Sequence, residues 1–87
     1  VRNKKDTEEV VEAVKRFSAK MRGQLVANLR KGGWKGDSSA YLLRRLLQEV
    51  AELVEALDKG TQGEIEKEAV DVANFAMMIG DPERTRT

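Results

Sequence analysis

The chain has 87 residues, 16 Lys and Arg against 15 Asp and Glu, and neither cysteine nor histidine. That length holds one small domain, residues 1–87, with a limited core of its own. Disulfides, zinc–thiolate sites and imidazole bases or ligands are excluded, and no apolar run approaches the roughly 18 residues of a membrane span. The expectation is a soluble cytoplasmic protein with no membrane partner, whose metal, if it holds one, is bound by oxygen.

Glycines at 32, 33 and 36, at 60 and 63, and at 80 cut the chain into three segments, all with helical periodicity. The first helix is predicted over about 7–30, with Thr7 as N-cap and Glu8 and Glu9 in its first turn. Val10, Val14, Phe17, Met21 and Leu25 form its apolar stripe, and Asn28 continues it at the C-terminal end. The second helix is predicted over about 38–57, capped by Ser38 or a neighbour. Its apolar face is wide: Leu42, Leu43, Leu46, Leu47, Val50, Leu53, Val54 and Leu57. The third is predicted over about 63–79, on a stripe of Ile65, Ala69, Val72, Ala76 and Ile79. Gly80 and Pro82 stop it, and residues 80–87, without periodicity, read as a frayed tail. The fold class is all-α: a small helical bundle of three main helices, completed by oligomerisation that covers the remaining apolar surface.

Two acidic pairs lie inside these runs. Glu49 and Glu52, then Glu68 and Asp71, each have i, i+3 spacing, so each pair shares one helix face. On the helical wheel Glu49 and Glu52 fall at the edge of the apolar face, whereas Glu68 and Asp71 fall inside theirs. Carboxylates beside a core are costly unless neutralised. Lys67 and Arg45 are the side chains that would neutralise them internally. The alternative is a hard divalent cation, Mg²⁺ or Mn²⁺, which takes oxygen ligands and leaves positions open to phosphates.

Charge is unevenly placed. Residues 1–37 hold ten basic and five acidic side chains, and residues 38–79 hold four basic and eight acidic ones. The loop joining the first two helices contains Arg30, Lys31, Gly32, Gly33, Trp34, Lys35 and Gly36. Its cations suit phosphate, and Trp34 offers a ring on which a base can stack.

Glu49-x-x-Glu52 followed by Glu68-x-x-Asp71 resembles the signature of the MazG-like all-α nucleoside triphosphate pyrophosphohydrolases. Lys31-Gly-Gly-Trp34-Lys35 and the run from Asp71 through Asn74 to Ile79 resemble short phage- or cassette-borne members. The resemblance covers roughly residues 20–80. It implies hydrolysis of (d)NTP to (d)NMP and pyrophosphate, with Mg²⁺ held by Glu49, Glu52, Glu68 and Asp71. It also implies a substrate contact at Asn74 and a homodimer or homotetramer. The signature is often written with two successive glutamates, and Gln48 stands at the first of them here. Lys31 and Lys35 are then candidate phosphate contacts, and Trp34 and Asn28 candidate base contacts. The competing reading is a non-enzymatic helical dimerisation module, or a nucleic-acid binder using the basic residues of the first helix. Nucleic acid is the less favoured partner, because Glu8, Glu9 and Glu12 interrupt that basic run.

Overall fold

The computed structural model describes residues 3–85 and is all-α. Helix α1 spans Lys4–Ala27, α2 spans Ser39–Lys59 and α3 spans Gln62–Gly80. Short 3₁₀ turns follow α1 at Leu29–Lys31 and α3 at Pro82–Thr85.

Side chains set each helix start. Asn3 Oδ1 accepts from the Asp6 amide at 2.9 Å, so α1 begins before the expected Thr7 cap. Ser38 Oγ accepts from the Tyr41 amide at the start of α2. Thr61 and Glu64 form a reciprocal capping box at the start of α3, so that helix also begins slightly earlier than its periodicity implies.

Two glycines are required by geometry. Gly32 has φ 99°, a conformation that L side chains rarely adopt, and it ends the turn after α1. A Cβ on Gly60 would lie 2.7 Å from the Ala56 carbonyl, so only glycine allows the chain to leave α2 so sharply.

Helix α3 is the element on which both others pack, most extensively α2. Two turns apart on α2, the buried Leu42, Glu49 and Ala56 mark the line of approach. On α3 the buried residues are Val70 and Asn74. The expected α3 stripe is therefore displaced: Ala76 is exposed, and Val70, outside that stripe, is buried. A helix packed on two sides does not show a single stripe.

Helix α1 meets α3 through its C-terminal half only. Phe17, Met21 and Leu25 are half-buried, whereas Val10 and Val14 of the expected stripe are exposed. An exposed ion pair, Lys20 Nζ to Glu66 Oε1 at 3.3 Å, joins the two helices.

The expected frayed tail needs correction up to Thr85. Arg84 Nη1 donates to the Asp37 carbonyl at 3.1 Å, and Nη2 donates to Ser39 Oγ at 2.7 Å. The C-terminal turn is thereby tied to the start of α2. Residues 86 and 87, the rest of the expected tail, lie outside the described residues.

Candidate functional site

The α2–α3 contact brings both acidic pairs to one place. Glu49, Glu68 and Asp71 each offer an oxygen, and these oxygens lie within 4.8 Å of one another. Glu52 is exposed and stands outside that set of three. It remains within hydrogen-bonding reach of both Glu49 and Glu68.

Burial differs from the helical-wheel expectation. Glu49 is the buried carboxylate, 7% exposed, while Glu68 and Asp71 are half-buried. The reason is the direction from which α3 approaches. It packs along the flank of α2 that carries Leu42, Glu49 and Ala56, which the wheel placed at the margin of the apolar face.

The cluster is partly neutralised from within. Lys67 Nζ lies 3.4 Å from Glu68 Oε1 and 3.3 Å from Asp71 Oδ2. Arg45 Nη2 lies 4.0 Å from Glu49 Oε1, and its guanidinium also bonds Gln48 and sits 5.1 Å over the Phe75 ring. Two cations against four carboxylates leave a deficit of positive charge. Protons offset part of it. Burial pushes the Glu49 carboxyl up to about 7, helped by Glu52 and Asp71 and opposed by Arg45. Burial also raises Glu68, against the pull of Lys67. The hydrogen bond from Glu49 holds Glu52 below the usual carboxylate range.

The residues fit a hard dication. All donors are oxygens, and Glu68 Oε2 is buried without a hydrogen-bond partner. An unpartnered carboxylate oxygen in a buried position is costly, and a bound cation would satisfy it.

A cavity of about 410 Å³ opens beside the cluster, with Glu49 and Asp71 in its wall. That volume lies within the range of small-molecule sites. Trp34, Tyr41 and Phe75 supply aromatic surface, and Arg45 and Lys31 supply positive charge. Asn74 Nδ2 donates to the Met21 carbonyl at 3.3 Å, which anchors α3 to α1. Asn74 Oδ1 and Trp34 Nε1 are buried with no partner, one acceptor and one donor left over beside this cavity. On the other side of the cluster a second cavity, about 290 Å³, is lined by Glu52, Glu55, Glu64 and Glu68, with Lys59 among them.

Of the residues expected from the sequence, Asn28, Lys31, Trp34 and Asn74 line the larger cavity with Glu49 and Asp71. Lys35 is exposed and does not line it. Arg45, Tyr41 and Phe75 do, and sequence reasoning missed Tyr41 and Phe75 as site residues. Arg45 and Tyr41 lie four and eight residues before Glu49, one and two turns back along the same face. Helical spacing from the acidic pair held that signal.

No family model matches the chain, and no curated protein or solved structure matches it.

Proposed function

We propose that the protein is a Mg²⁺-dependent nucleoside triphosphate pyrophosphohydrolase, converting (d)NTP to (d)NMP and pyrophosphate in nucleotide-pool house-cleaning in the cytoplasm. The observation that carries this reading is the convergence of Glu49, Glu68 and Asp71 within 4.8 Å, beside a cavity with both aromatic and basic walls. Mn²⁺ is an acceptable substitute, since it prefers the same donors. On this reading the chain works as a homodimer or homotetramer.

Glu49, Glu68 and Asp71 would hold the metal. Bound there, Mg²⁺ supplies charge neutralisation at the scissile phosphoryl group. Arg45 and Lys31 attract the phosphates from the side of the larger cavity. Trp34, Tyr41 or Phe75 stack on the base, while Asn74 Oδ1 and Trp34 Nε1 offer it one acceptor and one donor. The smaller cavity is acidic and repels phosphate, so it is the side on which water enters. Glu52 faces that side and lies outside the set of three. It is the carboxylate placed to orient water and take its proton, in a chain that has no histidine.

The test is turnover of a panel of NTPs and dNTPs with and without Mg²⁺. Glu68→Gln should lower turnover by at least about a hundredfold with the helical circular dichroism unchanged. Glu52→Gln should lower kcat by a similar factor, about a hundredfold, while Mg²⁺ affinity falls far less than in Glu68→Gln. Full activity in Glu68→Gln would sink the metal assignment.

A second reading has its own observation. Exposed aliphatic rows on α1 and α2 favour a helical interaction module, and the Lys67 and Arg45 ion pairs give it an internal account of the acidic cluster. A folded protein without turnover or Mg²⁺ binding would select that reading.

A further inference from the structure

Helix α2 carries two parallel rows of side chains, each spaced 4-3-4-3. One row, Leu42, Leu46, Glu49, Leu53 and Ala56, is buried or half-buried on the α3 side. The other, displaced by one residue, is Leu43, Leu47, Val50, Val54 and Leu57. All five of its side chains are between 38% and 63% exposed. The fourteen helical rises from Leu43 to Leu57 make this row about 21 Å long. A 4-3 repeat of aliphatic residues is the seam of a two-stranded helical contact, and an exposed row of this length marks an interaction surface.

We infer that this row is the surface on which a second copy of the chain docks, with the two α2 helices antiparallel about a two-fold axis. The inference gives a face and a register to the self-association proposed above, and it is independent of the catalytic chemistry.

The residues beside the row select the orientation. Arg44, Ala51 and Asp58 follow Leu43, Val50 and Leu57 by one residue each, so all three flank the seam on one side. In an antiparallel pair like flanks meet. The register that sets Leu47 against Leu57 and Val50 against Val54 of the second copy also sets Arg44 against Asp58. It brings Ala51 against its own counterpart at the axis. Both copies therefore gain the same charge pair, as two-fold symmetry requires. A shift of one heptad leaves Arg44 facing Ala51, and a parallel pair sets Asp58 beside the apolar Leu53. Both lose the complementarity.

Surface shape agrees with this register. A shallow depression on the flank of this row is lined by Ala51, Val54, Leu57 and Asp58, with Glu55 and Lys59 at its outer edge, and the small Ala51 side chain leaves room there for a neighbour. On the other flank Leu53 is half-buried, so the contact would complete its burial. Gln48 lies farther round the helix and stays in water.

The test is the mass of the full-length chain in solution, by sedimentation equilibrium over a concentration series. The wild type should be a dimer. Leu47→Glu, at a surface position that bears on neither α3 nor the acidic cluster, should raise the dissociation constant on the order of a hundredfold with helicity unchanged. Arg44→Asp should raise it about fivefold, and Arg44→Asp combined with Asp58→Arg should restore it to within about twofold of wild type. A chain that stays monomeric at every concentration would overturn the inference. So would a dimer indifferent to Leu47→Glu but broken by Val11→Glu, which would place the contact on α1. A double variant no tighter than Arg44→Asp would overturn the antiparallel register. Loss of nucleotide turnover leaves all these readouts untouched, so failure here and failure of the catalytic reading are separable.

Discussion

Glu49 sits where α3 crosses α2, and its carboxyl is raised by burial to about 7. The sign of the consequence follows from linkage. Below about pH 4.5 the group is protonated both folded and unfolded and contributes no pH dependence. As pH rises from there to about 7, the unfolded chain ionises Glu49 while the fold keeps it neutral. Stability is lost through that window and levels off above it. Glu68 acts in the same direction, and Glu52, held low, acts in the opposite one. Glu49→Gln should therefore unfold at higher temperature than wild type at pH 8, by about 1–2 kcal/mol of stability, and match it at pH 4. Saturating Mg²⁺ should reverse the order at pH 8, because the metal selects the ionised wild-type site. Equal melting profiles from pH 4 to pH 8 would show that Glu49 is not strained in the fold. The identity of the acidic residues was legible in the sequence, and their burial ranking was not. The wheel measures distance from the centre of a helix's own apolar face. Glu49 is buried because α3 packs off that centre, a tertiary fact.

At the scale of elements, caps and turns do what periodicity cannot. All three helices were legible, since apolar spacing and glycine clusters mark them. Their ends shifted by one to three residues, and Asn3 and the Thr61–Glu64 capping box start α1 and α3 before the first apolar residue. Thr61→Ala should cost about 1 kcal/mol, read as a lower midpoint in urea unfolding. The turn after α3 was not legible. Nothing local predicts that Arg84 reaches Asp37 and Ser39, more than forty residues away. Asp37 also lines the larger cavity, so this tie holds one of its walls. Arg84→Ala should speed amide exchange from Gly33 to Ser39, with little change in α1. Unchanged exchange there would mean that the loop holds its shape without the C-terminal turn.

The molecule as a whole is an open arrangement, 42 × 36 × 24 Å, built around α3. Leu42 is the one large side chain among the described residues with no exposed surface. Most of the apolar area on α2 and the N-terminal half of α1 lies outside the core. Among the described residues no helix is long and apolar enough to cross a membrane. Apolar area in excess of the core is what the wide apolar faces of the second and third helices implied, but the sequence alone did not show which row α3 would leave uncovered. The site follows the same division. Carboxylates and the basic loop were readable as residue types at helical spacing. Tyr41 could be found by its spacing from Glu49, but Phe75 could not, because it joins that wall only when α2 and α3 are side by side. Mg²⁺ should raise the melting temperature of the wild type and leave Glu68→Gln nearly unmoved, as binding to the folded state requires. The most direct measurement is identification of the products formed from a dNTP and Mg²⁺. Monophosphate plus pyrophosphate is the predicted result; diphosphate plus orthophosphate, or an intact substrate with correctly folded protein, would contradict it.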